Sequence, residues 1–222
     1  RGAPGGSGAP GRRHEAGSRH GARVVTMTDG GPVKPLVFVH VPKAAGTSLK
    51  DLIVRNYAGA RCLFFSPGDG RLARFRTLPA AVRAGCAVVG GHEPFGLQGV
   101  YDGTGLEPSV VTVLREPVAR VCSLYRYIFR EPAHAQHARF VRERPSLGSV
   151  IAEKALPAFD NHQVRFLAGG ETFAKPVGLL DESDLETAKR NLERGCRVFG
   201  LQERMGARQA GPGEEGKRRW RQ

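Results

Sequence analysis

The stretch LVFVHVPKAAGTSLKDLIVRNY, residues 36–57, decides the fold. Leu36 to Val41 is an apolar run rich in β-branched side chains and broken only by His40, the pattern of a parallel strand covered on both faces. Pro42 has no N–H to give a ladder and ends the strand. Lys43 to Ser48 turns the chain. Leu49, Leu52, Ile53 and Tyr57 then recur at i, i+3, i+4 and i+8, one face of a helix. The first N–H groups of a helix lack partners and carry partial positive charge, so they attract anions. Gly46 admits a phosphate close to the backbone, Thr47 and Ser48 add hydroxyl donors, and Lys43 adds a full charge. This is a phosphate cradle of Lys43, Ala44, Ala45, Gly46, Thr47 and Ser48. It is not a Walker A loop, in which the lysine follows the second glycine. An ordinary strand-to-helix turn with a surface lysine is the alternative.

Two more strand-to-loop units follow. Cys86 to Gly90 is a second buried run that leads into Gly91-His92-Glu93-Pro94. Sites of open α/β sheets lie at the carboxyl ends of strands, and histidine titrates near working pH. His92 is therefore a candidate general base, with Glu93 as its competitor and a loop histidine bonded to backbone as the plain reading. Ser109 to Leu114 is the third run. Arg115-Glu116-Pro117 follows it, with proline suited to a first helical turn, and Val118, Val121, Cys122, Tyr125, Ile128 and Phe129 make an apolar face. Arg115 thus lies at a strand end and Ser123 two turns into the helix. Arg126 and Arg130 extend its basic face, either to contact an acidic acceptor or to be solvated.

The strings HVPKAAGTSL and LREPVARVCSLYR, with FDNHQVRFLAG at 159–169, resemble the carbohydrate O-sulfotransferases of the heparan sulfate 2-O/6-O type. The resemblance runs from about Lys34 to Met205. It implies a three-layer α/β fold, a mainly parallel sheet flanked by helices with P-loop-like architecture. It also implies 3′-phosphoadenosine-5′-phosphosulfate (PAPS) as sulfuryl donor. By the same resemblance the cradle takes the 5′-phosphosulfate, Arg115 and Ser123 bind the 3′-phosphate, and His92 deprotonates an acceptor hydroxyl. Asn161, His162 and Arg165 line the acceptor or cofactor cleft, unless Asn161 caps a helix and Arg165 pairs with Asp160. Many members carry Thr-Gly-Gly where this chain has Ala44-Ala45-Gly46, so one hydroxyl and one flexible position are missing. The partner implied is a glycan or other hydroxyl acceptor, and no metal is required. Animal members sit in the Golgi lumen behind an anchor, and microbial ones can lack it.

The remaining sequence bounds these readings. The 222 residues suffice for one domain, and 40% hydrophobic with 25% charged residues is a globular balance. The net charge of +13 favours anionic partners. Residues 1–30 and 204–222 carry +3 and +4 of it, which leaves +6 for the body. Residues 1–31 are expected to be a disordered basic leader, 32–205 the domain and 206–222 a disordered basic tail; the leader has no interleaved aromatics of the kind that stack on nucleic-acid bases. No run approaches the ~18–20 apolar residues of a membrane span.

Of the four cysteines, Cys86 and Cys122 are expected to be buried thiols, no disulfide is expected, and no zinc spacing is present. Arg61 to Ser66 is a short strand or a loop, Pro132 to Pro145 a basic loop or short helix, and Ser183–Glu186 a capping box. Gly195 ends that helix, and Cys196 to Leu201 is a further strand. A P-loop kinase would need a Mg²⁺-binding Asp at a strand end, where this chain has Gly91-His92 and Arg115. A non-catalytic binder of anionic glycan or nucleotide is the other alternative.

Overall fold

Five parallel strands order the molecule. The computed structural model describes residues 34–68 and 70–205; the expected leader and tail lie outside them. The strands β1 (Leu36–Val39), β2 (Cys62–Phe65), β3 (Val88–Gly91), β4 (Ser109–Leu114) and β5 (Cys196–Leu201) form one sheet in the order β2-β3-β1-β4-β5. Every pairing is parallel, with Val39 beside both Gly91 and Thr112. The carboxyl ends of β3, β1 and β4 are therefore neighbours on one edge of the sheet. The buried Thr112 hydroxyl donates to Val39 O at 2.8 Å, which ties the ends of β1 and β4 together.

The expected α/β class and parallel sheet are both present. Two strands are offset from expectation. The first run stops pairing at Val39, although His40 N–H still donates to Gly91 O at 3.0 Å. The second begins at Val88, and the Cys86 carbonyl before it accepts from the buried Tyr101 hydroxyl at 2.9 Å. Arg61–Ser66 resolves as a strand.

Three apolar clusters show why the sheet is covered on both faces. The helix α1 (Gly46–Asn56) lays Leu49, Ile53 and the following Tyr57 over Phe38, Val88 and Phe64. Leu52, expected on that face, is 41% exposed. On the other face Val37, Val39 and Val89 meet Phe75 of α2 (Arg71–Arg76) and the 3₁₀ turn Leu97–Tyr101. A short α3 (Ala80–Ala84) follows Pro79 and ends at Gly85.

The third cluster is formed by α4 (Pro117–Arg130), α5 (His137–Glu143) and α6 (Leu147–Ala152) around Leu124, Ile128, Phe140 and Val150. The buried residues of α4 are Arg120, Leu124 and Ile128; of the expected face Ile128 is buried and Tyr125 and Phe129 pack against this cluster, while Arg120 and Leu124 were not expected there. Val118 is 66% exposed and Cys122 only half-buried, while the second buried thiol is Cys196. All four cysteines are free. The basic segment before Pro145 folds as α5, and its charges are largely consumed locally: Arg139 pairs with Glu143 at 2.8 Å and Glu153 at 2.6 Å.

The chain then passes through α7 (His162–Ala168), α8 (Gly170–Ala174) and α9 (Glu182–Arg190), with a π turn at Asn191–Gly195 before β5. The capping box of α9 starts two residues earlier than expected. Asp181 accepts from Asp184 N, and the Asp184 side chain accepts from Asp181 N. An aspartate at the cap with an acid three residues on satisfies both orphan donors, as Ser183 and Glu186 would have done. Among the described residues no helix is long and apolar enough to cross a membrane.

Candidate functional site

The cradle is strained at two of its residues. Lys43 has φ 69° and Ala45 φ 57°, left-handed conformations that side chains other than glycine disfavour by ~1–2 kcal/mol per residue. Ala45 stands where the resembled loop has glycine. Such strain persists only where the surroundings enforce it. Here Arg115 Nη1 donates to the Lys43 carbonyl at 3.3 Å, and the Lys43 ammonium lies 3.8 Å from the centroid of the Tyr127 ring.

Two helices begin at this sheet edge, and they differ in a way that decides where an anion can sit. The first turn of α1 has no side-chain cap and no acidic residue, and Thr47 and Ser48 are exposed. By contrast, the first turn of α4 is closed. The Glu116 carboxylate accepts from Val118 N at 2.9 Å and Ala119 N at 2.6 Å, while Glu203, just past β5, accepts from Glu116 N at 3.0 Å. Those two backbone bonds hold the Glu116 carboxyl below its usual range. The groups left at the β4 end are side chains: Arg115 at the strand end, with Nε buried and without a partner, and Ser123 farther along α4. The Arg115 backbone is clamped by Gln163 of α7, whose amide accepts from Arg115 N at 2.9 Å and donates to Arg115 O at 2.7 Å.

His92 follows β3 directly. Its N–H donates to Phe65 O at 3.2 Å, and its ring lies 4.3 Å from that of His40, tilted by 60°. The loop beyond it is pinned by Phe95, whose N–H donates to Phe166 O at 2.7 Å. Gly169 and Gly195 make room for that residue. A Cβ at Gly169 would stand 2.1 Å from the Phe95 carbonyl oxygen, and one at Gly195 would stand 2.4 Å from its ring.

The field at this edge is positive. Burial, then Arg130 and Arg115, push Lys43 below its ordinary value. Burial, then Lys50, do the same to His92. His40 falls to about 4 through burial, His92 and Lys50. His92 is thus neutral near pH 7 and able to accept a proton, and Lys43 has an aromatic face and two arginines as neighbours. The arrangement can receive two separated anionic groups, one on α1 and Lys43, the other on Arg115.

The remaining candidates are Arg165, Asn161, His162 and Glu93. Arg165 is fully buried: Nε donates to Asp160 O at 3.0 Å, Nη2 reaches Asp160 Oδ2 at 2.5 Å and Pro176 O at 3.0 Å, and Nη1 takes the Lys175 carbonyl. Its donors are spent inside the fold, so it takes the pairing role rather than lining a cleft. Asn161 is exposed at the start of α7 with φ 44° and gives that helix no side-chain cap. His162 is packed edge-on against Phe166 at 4.8 Å, its Nδ1 buried without a partner, and burial with Arg120 and Arg165 nearby drops it to about 3. Glu93 is half-buried beside His92.

Sequence reading did not single out His40, Lys50, Tyr127 or Gln163. A histidine inside an apolar strand and a tyrosine four residues past Ser123 were the available signals. Against known proteins, neither a family model nor a curated sequence matches this chain.

Proposed function

We propose that the chain is a sulfotransferase that moves a sulfuryl group from PAPS to a hydroxyl, on a glycan by resemblance. One observation carries this reading. Lys43 with the open start of α1, His92, and Arg115 converge on the carboxyl ends of the adjacent strands β1, β3 and β4. The donors fit a ligand with two separated anions: the unpartnered Arg115 Nε suits one, and the uncapped α1 turn with Lys43 suits the other.

When bound, PAPS supplies the activated sulfuryl group; the acceptor oxygen forms a bond to sulfur as the bond from sulfur to the 5′-phosphate oxygen breaks. His92, neutral near pH 7, takes the acceptor proton. Lys43 and the N–H groups of residues 46–48 stabilise the charge that grows on the departing phosphate. Arg115 and Ser123 fix the 3′-phosphate and so the register of transfer. A P-loop kinase reading finds no support at these strand ends, which lead into His40, His92 and Arg115.

Thermal unfolding with 3′-phosphoadenosine-5′-phosphate and with ADP, each in EDTA and again with Mg²⁺, tests this. A ligand at 100 times its Kd stabilises by ~2.7 kcal/mol. Stabilisation by the 3′-phosphorylated nucleotide alone is expected, followed by transfer of labelled sulfate to a glycan acceptor. A larger shift from ADP with Mg²⁺ would overturn the reading in favour of a kinase. Nucleotide binding without any transfer would leave a binder.

A further inference from the structure

His40 belongs neither to the cradle nor to the loop of His92, yet it touches both. Its ring stacks on Phe38 at 5.2 Å and 14°, and on a second side meets the His92 ring at 4.3 Å. Its N–H holds the carbonyl of Gly91, the residue before His92. On a third side it lies over Gly46, the first residue of α1. A Cβ on Gly46 would stand 1.8 Å from His40 Cδ2 and 1.9 Å from Nε2. One imidazole therefore fills the space between the anion-attracting turn and the candidate base. Close-packed interiors transmit displacement rather than absorb it.

We propose that His40 is a positioning residue that couples the first turn of α1 to His92, so that a shift of that turn is passed through the His40 ring to the His92 ring. The role of His92 in this statement rests on the sulfuryl-transfer reading; the coupling itself does not. The titratable groups facing His92 are His40 from β1, Lys50 from α1 and His162 from α7, with Glu93 beside it in the loop. Burial is the first cause of the lowered value of His92. Removing the His40 ring admits water on one side and relieves it.

The test is imidazole NMR on the full chain without nucleotide, with the His92 resonance assigned among the seven histidines through His92→Gln. In His40→Ala and in His40→Asn the His92 midpoint is expected to rise toward the ordinary histidine value as desolvation is relaxed. Gly46→Ala, which drives a methyl into the His40 ring, is expected to shift the His92 resonance when His40 is present and to leave it in place in the His40→Asn background.

A His92 midpoint unchanged in both His40 variants overturns the proposal, as does a Gly46→Ala shift that persists without His40. His40→Asn keeps a polar group of smaller size and carries the test if the alanine variant does not unfold cooperatively. Because no nucleotide is used, failure of 3′-phosphoadenosine-5′-phosphate to stabilise the protein bears on the sulfuryl-transfer reading alone.

Discussion

Gly91→Ala is expected to be among the most damaging single-methyl additions in this protein. Gly91 is the last residue of β3, with φ +140°, where side chains are rarely accommodated, and its neighbours leave no room. An added Cβ would lie 2.0 Å from Phe65 O, 2.8 Å from Phe65 N and 2.9 Å from Phe65 C. These are backbone atoms of β2, and the same carbonyl oxygen accepts from His92 N. Neither strand can yield without breaking the ladder beneath the candidate base.

The conformational term costs ~1–3 kcal/mol and overpacking against fixed atoms another ~1–3 kcal/mol. A total of roughly 2–6 kcal/mol, or about 4–24 °C in Tm for a chain of this size, follows. Two other glycines separate the terms. Gly96 has φ +112° and nothing within 4 Å of an added Cβ, so Gly96→Ala feels only the conformational term. Gly90 has an ordinary φ and contacts of 3.0 Å to Phe38 Cβ and O, so Gly90→Ala feels only the packing term.

Urea unfolding followed by far-UV circular dichroism measures all three; Trp220, the only tryptophan, lies outside the described residues. The expected order is Gly91→Ala well below both others. A Gly91→Ala protein no less stable than Gly96→Ala would refute the close approach of β2 and β3 on which the placement of His92 depends.

Four further outcomes are expected. His40 and His162 stay neutral in the fold down to about 4 and about 3, while the unfolded chain protonates near 6.5. Stability is therefore full above pH 6.5 and falls as pH drops, by up to ~1.4 kcal/mol per pH unit for each group, less for the partly solvated His40. Urea midpoints at pH 7, 6 and 5, above most carboxylate titration, check this, and a flat profile contradicts it. Arg165→Met strands Asp160 and opens the buried network at α7, with an expected loss of ~3–5 kcal/mol in the same urea assay; a loss under ~1 kcal/mol would show that the network is incidental.

On the sulfuryl-transfer reading, His92→Ala lowers kcat ~10²–10⁴-fold. Lys43→Ala is at least as damaging and also weakens 3′-phosphoadenosine-5′-phosphate, by calorimetry; wild-type turnover in His92→Ala would remove that residue as the base. Tyr127→Leu removes the ring under Lys43 and is expected to weaken nucleotide binding ~2–5-fold, the size of an exposed cation–π contact, whereas Tyr127→Phe is expected to leave it intact.

The strands were legible because each is a short apolar run stopped by Pro, Gly or a charge, and a parallel sheet buries such runs on both faces. The cradle was legible because local order alone places Lys43, Gly46, Thr47 and Ser48 at a helix start. What sequence could not supply were contacts across the chain. Arg120 reads as a surface cation on α4, yet it is 2% exposed, with its guanidinium on the Ala158 carbonyl. Gly169 and Gly195 read as helix ends, and their spaces turn out to be filled by Phe95. Arg165 was given both readings, and only the fold showed its donors facing Asp160. Periodicity reports which side of an element is apolar; it does not report which polar group a neighbouring element will claim.

The contact from Glu203 to the Glu116 amide has a consequence for when the protein matures. Strand β5 joins β4 only after the excursion through α4 to α9, so the Leu114 and Leu201 partners are separated by most of the helical half of the chain. Contacts across such separations form late, since loop closure must precede them. During synthesis β1, β2, β3 and β4 emerge first and can pair, and Glu116 caps Val118 N and Ala119 N locally, but the Glu116 amide gains its Glu203 acceptor only when residue 203 arrives. The amide next to Arg115 is therefore satisfied from the far end of the chain, after Lys43 and Gln163, the residues that hold Arg115 itself, have been made.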